Sequence, residues 1–285
     1  MIITHISRQE VLEKAKLLPA FPAVIQRILE TIDDVDANLN VLIDYVGQDP
    51  IIASRVISMA NAVALRTKNL RAIGDIHTAI SLIGISPVRS IAIAGSFDSF
   101  CGEANSKIHS TFIKHSVSVG VCCEEIAHFI ETPISPEHAL MAGLLHDLGH
   151  LWLQCFRAED FAEVWRRAQQ PPVCIEGPER EAFGVDHSTI GAWMAEQWLL
   201  PKSIYTAIQH HHAPDTALNE PLVAITHVAE VLCNALELGG GSEAHVTKIS
   251  AGACDKLGLK WNTESRQLFG RVEARCRYTN SLFAL

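Results

Sequence analysis

The chain carries fourteen histidines and 32 acidic residues in 285 positions, and several of the histidines fall where helical periodicity points them inward. His115 keeps a three-and-four spacing with Phe112, Val119, Cys122 and Ile126, which places its imidazole on a buried stripe. His146 is in phase with Ala142, Leu145, Gly149 and Leu153, with Asp147 immediately beside it. Asp186 stands as a helix cap ahead of a face made by His187, Ile190, Met194 and Trp198. The run His210-His211-His212 closes a helix that Pro201 opens, and Glu230 lies next to the stripe Leu222, Ile225, Ala229 and Leu232.

A buried imidazole or carboxylate needs a partner, because leaving it unsatisfied costs roughly 1–3 kcal/mol. Helices that converge can satisfy one another through a metal ion. Histidine nitrogen combined with carboxylate oxygen suits iron, manganese, zinc or nickel, and helix bundles hold such ions between facing helices. An adjacent His-Asp pair has a further use: the histidine binds one ion while the aspartate bridges to a second, giving two Lewis acids for phosphoester hydrolysis. Plainer readings stand beside this one. A lone inward histidine can be a hydrogen-bonded core residue, His210–His212 can be a polar helix end favoured by the helix dipole, and Glu230 can be a surface residue. Glu124 and Glu125 read as solvated helix positions. His146 and His150 also stand four apart, as in zinc proteases, but Asp147 would have to replace the glutamate base.

The elements that must position these groups are helical almost throughout, since apolar spacings of three and four persist and two-residue alternation is rare. The spacing predicts helices over 8–16, 22–32, 38–47, 50–62, 75–83, 87–99, 105–131, 136–155, 158–169, 177–183, 187–199, 201–212, 217–238, 243–256 and 263–283. Asp49 caps the helix that begins at Pro50, and Pro22 and Pro87 mark similar starts. Seams fall near Cys101–Asn105 and at Gly239–Ser242. They divide the chain into an N-terminal helical unit over 1–104, a metal-pocket unit over 105–240, and a C-terminal helical segment over 241–285 packed on the core.

Composition excludes several classes. With 48% hydrophobic residues there is ample material for a core. A formal net charge of −9 without clustered Lys and Arg argues against nucleic acid as a partner. No apolar run is long enough to span a membrane, and residues 1–10 lack the pattern of a signal peptide. The eight cysteines show no CxxC pair and read as reduced, buried small hydrophobes. Together these features predict a cytoplasmic protein without membrane contacts.

Gly143-Leu144-Leu145-His146-Asp147-Leu148-Gly149 resembles the signature of the HD superfamily of metal-dependent phosphohydrolases. Leu18-Pro19-Ala20-Phe21-Pro22-Ala23-Val24, Gln48-Asp49-Pro50, Met59-Ala60-Asn61-Ala62 and Ala79-Ile80-Ser81-Leu82-Ile83-Gly84 resemble successive blocks of the HDOD domain. So do His187 through Leu200-Pro201, Ala207-Ile208 and His211-His212. The resemblance covers roughly residues 15–240 and implies an all-α, multi-helix HDOD/HD-domain bundle. It further implies that His115, His146, Asp147 and Glu230 would hold one ion and that Asp147, His187, His211 and His212 would hold a second. Glu230 stands where the superfamily usually has its last aspartate.

The chain departs from the related HD-GYP pattern at two places. His150 replaces the usual lysine, a shorter side chain that could stand neutral as a proton donor, and Ala213-Pro214-Asp215 follows the histidine pair in place of Gly-Tyr-Pro. Cleavage of cyclic di-GMP is therefore not expected. The family is known mainly for signalling output, so the resemblance implies a regulatory protein whose partners are other signalling proteins or a small phosphorylated ligand. The alternative is a metal-dependent phosphohydrolase acting on a nucleotide or other phosphoester, with Asp147 and His150 as its catalytic pair.

Overall fold

The computed structural model describes residues 5–30, 35–66, 72–105, 110–130, 134–168, 175–239, 248–260 and 262–282, and the regular structure among them is all helical, as expected. The first helices are α1 (Arg8–Ala15), α2 (Ala23–Glu30), α3 (Val35–Gln48), α4 (Pro50–Arg66), α5 (Ile76–Ile83) and α6 (Ile85–Ala104). They are followed by α7 (Ser110–Phe129), α8 (Pro136–Leu145), α9 (Leu148–Phe156), α10 (Ala158–Ala168) and α11 (Glu176–Phe183). Then come α12 (His187–Gln197), α13 (Lys202–His210), a 3-10 turn at Pro214–Thr216, α14 (Pro221–Ala235), α15 (Ala251–Lys256) and α16 (Thr263–Leu282).

Local chemistry sets many of these ends. The carboxylate of Asp49 accepts from the N–H groups of Ile51 and Ile52 at 2.9 and 3.1 Å, and Ser135, Asp186 and Ser250 cap α8, α12 and α15 in the same manner. Pro87 does not open its helix. α6 already begins at Ile85, so the proline lies within the first turn, where its missing N–H costs nothing. The side chain of Asn61 donates to the carbonyls of Ile57 and Ile73 and accepts from Ile73 N–H, tying α4 to the approach to α5. The cysteines among the described residues are free thiols; Cys174 and residues 240–242 of the glycine-rich seam lie outside the described residues.

One correction matters most for the site. The stretch 136–155, expected as a single helix, is two: α8 stops at Leu145 and α9 starts at Leu148. Apolar residues keep their spacing across the break, which is why periodicity cannot reveal it. In a continuous helix adjacent side chains diverge by about 100°. The break instead lets His146 and Asp147 face one point, with His146 Nε2 and Asp147 Oδ2 3.3 Å apart.

Close helix approaches hold this break in place. A Cβ at Gly143 would lie 2.6 Å from Cys123 Sγ and 2.7 Å from the Val119 carbonyl, so α8 packs directly on α7. At Gly149 it would lie 2.0 Å from the His187 carbonyl, so α9 presses its backbone against the start of α12. Only glycine fits either position. Farther out, Phe21 stacks on Trp198 at 4.8 Å, and Phe100 meets Trp198 edge-on at 5.6 Å. This joins the approach to α2 and the end of α6 to the end of α12. α1 likewise packs on α9 and α12.

Glu124 and Glu125 are not solvated. Both are buried on α7, because α16 crosses them and Arg275 donates to Glu124 at 2.7 Å and to Glu125 at 2.5 Å. Ser90 Oγ donates to the other oxygen of Glu124 at 2.7 Å.

Candidate metal centre

The centre is assembled at helix ends and breaks. α8 ends in His146 as its C-cap and α9 takes Asp147 as its N-cap. α12 begins with His187, α13 ends in His211 as its C-cap, and His212 follows. His115 comes from within α7 and Glu230 from within α14. His146, His187 and His211 have no solvent exposure, while His115 and His212 are partly exposed.

Two of these three fully buried histidines are oriented alike. Nδ1 of His146 lies 2.7 Å from the Gly143 carbonyl, and Nδ1 of His211 lies 2.7 Å from the Ile208 carbonyl. A carbonyl only accepts, so each Nδ1 carries hydrogen and each Nε2 faces inward. Both Nε2 atoms and Glu230 Oε2 are buried without a hydrogen-bond partner. One donor atom from each of these three residues lies within 4.8 Å of the others. Three orphaned polar atoms aimed at one another cost several kcal/mol in sum unless a cation joins them. The donor set therefore fits a metal ion.

Asp147 faces two groups of ligands. Its Oδ2 lies 3.3 Å from His146 Nε2 and 3.8 Å from His115 Nε2. Its Oδ1 lies 3.4 Å from His187 Nε2, 3.5 Å from His150 Nδ1 and 4.0 Å from His211 Nε2. His187, His211 and His212 form a further set with donor atoms within 4.8 Å. Every residue expected as a ligand is thus brought to one place. His210 stays outside, bonded to Thr216 Oγ1 at 3.0 Å.

Burial and neighbouring charge shape the centre. Burial, with His146 nearby, pulls His115 down to about 4. It also holds His211 and His212 well below the ordinary imidazole range, helped by the neighbouring histidines. Glu230 is pushed up to about 8, again by burial first. Burial opposes charge on His146 and Asp147 too, but the surrounding charges and hydrogen bonds together outweigh it: Asp147 and Glu230 raise His146, and His146 and His150 hold Asp147 well below the carboxylate range. The field that favours a proton on His146 favours a metal cation at the same point.

His150 departs from the neutral donor the sequence suggested. It is clamped between Asp147 Oδ1 at 3.5 Å and Glu179 Oε1 at 2.9 Å. Burial works against its charge, yet these two carboxylates overcome it and lift His150 to about 10. The protease-like reading of His146 and His150 also fails, since the helix breaks between them.

Sequence reasoning missed Glu179 and Glu176. Glu179 has no exposure and accepts from His187 N–H, His187 Nδ1 and His150 Nε2 at 2.8, 2.7 and 2.9 Å. Glu176 is buried as well, with Oε1 3.7 Å from His212 Nδ1. Both lie in Glu176-Gly177-Pro178-Glu179-Arg180-Glu181, a polar stretch too short for an apolar stripe to distinguish an inward acid from an outward one.

An all-helical bundle whose broken helix presents His-Asp to histidines from three other helices defines a protein of the HD type. The HDOD domain model matches residues 18–214, and the chain belongs to the HDOD domain family. Solved structures share the fold. One is an HDOD domain protein of unknown function from Geobacter sulfurreducens, 22% identical with a TM-score of 0.76, the match covering 98% of this chain and 100% of that one. A candidate phosphohydrolase from Shewanella amazonensis SB2B is 21% identical with a TM-score of 0.70, over 95% and 97% of the two chains. A candidate signal transduction protein from Marinobacter aquaeolei VT8 is 21% identical with a TM-score of 0.71, over 99% of this chain and 62% of that one. The chain spans 43% of the length of a curated relative from Treponema pallidum (strain Nichols), an uncharacterised protein 20% identical over 225 residues. Among the described residues no single helix is long and apolar enough to cross a membrane.

Proposed function

We propose that this chain is a cytoplasmic regulatory module that holds one or two transition-metal ions in its histidine–carboxylate centre and acts by contact with other signalling proteins or a small phosphorylated ligand. The observation that carries the metal is the trio of orphaned, mutually facing atoms on His146, His211 and Glu230. Iron, manganese, zinc and nickel all suit this donor set. His115, His146, Asp147 and Glu230 would hold the first ion; Asp147, His187, His211 and His212 would hold the second. The regulatory reading is supported by His150, held between two carboxylates where the HD-GYP pattern has a lysine, and by Ala213-Pro214-Asp215 after the histidine pair.

A second reading, metal-dependent hydrolysis of a phosphoester, is favoured by one observation: the two oxygens of Asp147 face different histidine groups, as a carboxylate bridging two ions does. A bound pair of ions would supply Lewis acidity and a deprotonated water. In that reading Asp147 orients the ions and His150 supplies a proton.

One experiment tests both. The chain is purified without added metal, analysed for its elements, and assayed on a panel of nucleotides beside His146→Ala and Asp147→Ala. The regulatory reading predicts bound metal in the wild type, loss of that metal in both variants, and no metal-dependent turnover. Steady turnover abolished by both substitutions would establish the hydrolase instead; turnover unchanged by them would remove it.

A further inference from the structure

The histidines of the centre do not all obtain their orientation from the same source. His146 and His211 each donate from Nδ1 to a carbonyl three residues back in their own chain, Gly143 and Ile208. Both stand at helix C-termini, where such carbonyls are spare. His187 is the first residue of α12. Three residues behind it lies Gly184, outside the helix, and its own backbone N–H is one of the orphan donors of a helix start. It therefore has two donors to satisfy and no carbonyl of its own turn to receive them.

We propose that Glu179 is the positioning residue of the second metal position, fixing His187 so that its Nε2 turns a lone pair toward the centre, while the first position forms without it. This rests on the metal-holding reading above. Glu179 Oε2 takes both donors of His187, the backbone N–H at 2.8 Å and Nδ1–H at 2.7 Å. Its Oε1 takes His150 Nε2 at 2.9 Å, which leaves the Nδ1 of that ring 3.5 Å from Asp147 Oδ1. With three of its four lone-pair sites taken by histidine donors and no exposure, Glu179 orients ligands without being one. The consequence is a hydrogen on His187 Nδ1 and a lone pair on Nε2, which lies 3.1 Å from His212 Nε2, 3.3 Å from Ser188 Oγ and 3.4 Å from Asp147 Oδ1; an ion there would replace the two hydrogen-bond contacts. A carboxylate behind a ligating histidine also raises the basicity of the metal-facing nitrogen. Of the first-position residues, His146 takes its orientation from the Gly143 carbonyl, and neither it nor His115 nor Glu230 makes a hydrogen bond to Glu179.

The test uses the full chain, its Glu179→Ala variant, and Arg180→Ala as a control on the same helix, whose side chain pairs with Asp186. In Glu179→Ala the His187 Nδ1 has lost its acceptor while Nε2 still faces Asp147 Oδ1 at 3.4 Å, so His187 should move its hydrogen to Nε2. Calorimetric titration with Mn2+ should show two ions in the wild type and in Arg180→Ala. In Glu179→Ala the second ion should bind roughly 10–100-fold more weakly, with the first unchanged. Nitrogen-15 NMR of the metal-free chains should place the His187 hydrogen on Nδ1 in the wild type and Arg180→Ala, but not in Glu179→Ala. Two ions with unaltered affinity and tautomer in Glu179→Ala would overturn the proposal and leave metal binding intact, as would a wild type that binds a single ion. A wild type that takes up no Mn2+ overturns metal binding, and the tautomer then decides the role of Glu179. The wild-type spectrum needs no variant: a His187 that carries hydrogen on Nε2 ends the proposal by itself.

Discussion

Helix α7 carries buried polar groups toward both its ends, and the two regions differ in how those groups are satisfied. At Glu124 and Glu125 the partners are all protein: Arg275 spans the two carboxylates and Ser90 takes the remaining oxygen of Glu124. Near His115 the opposite holds. His146 Nε2, His211 Nε2 and Glu230 Oε2 are buried and face one another without a partner. Burial and charge alone therefore do not mark a ligand site. The mark is a cluster whose inward atoms lack hydrogen-bond partners while the outward nitrogens of its histidines are engaged.

The contrast is broken most severely by Arg275→Ala. It leaves Glu124, whose side chain is 1% exposed, without its counter-ion, and the cost should be about 3 kcal/mol. Thermal unfolding should fall by several degrees. Smaller effects there would mean that the pair is not as buried as it stands.

Glu230→Gln should do the reverse. Burial raises Glu230 to about 8, so at neutral pH the metal-free protein holds it mostly protonated, and an amide of the same shape should change metal-free stability by less than about 1 kcal/mol. Its effect should appear with metal. Saturating ion should stabilise the wild type by about 2.7 kcal/mol at a hundredfold excess over Kd, and much of that gain should vanish in the variant. Melting curves with metal and with chelator check both halves.

The pH response follows from the same group. A carboxyl whose folded pKa is raised contributes stability that is full below its unfolded value near 4.5 and is lost as pH rises through about 8. His115, lowered to about 4, has the opposite sense, destabilising the metal-free chain as pH falls from about 6.5 toward 4. Metal must displace the Glu230 proton, so affinity should climb with pH up to about 8 and level off above it. Calorimetry at pH 7 in buffers of different ionisation enthalpy should detect proton release. A pH-independent affinity between 6.5 and 8 would remove Glu230 from the ligands.

The smallest effect sharpens the comparison on α16 itself. Arg277 pairs with Glu273 one turn away at 2.6 Å, with side chains 74% and 46% exposed. Arg277→Ala should cost no more than about 0.5 kcal/mol, several times less than Arg275→Ala on the same helix.

Much of the centre was legible because its ligands sit on or beside apolar stripes. His115 and His187 keep the phase of their helices, and His146-Asp147 lies within a recognisable block. What periodicity could not show was the break after Leu145, because Leu148, Leu151 and Leu153 continue the pattern of Ala142 and Leu145 across it. Nor could it show Glu179, whose helix spans eight residues and is mostly polar. Glu124 and Glu125 were misread for a different reason. Two adjacent acids look solvated until a helix about 150 residues later brings Arg275 to them. Local pattern reports which face is apolar; it does not report which distant side chain will cover a polar one.

The most direct test of the central claim is anomalous X-ray scattering from crystals of protein purified without added metal, collected across the edges of iron, manganese, nickel and zinc. The account predicts a peak bounded by His146 Nε2, His211 Nε2 and the Glu230 carboxylate, with Asp147 beside it. Crystals without anomalous signal there, in which those three atoms bond instead to ordinary protein or water partners, would contradict it.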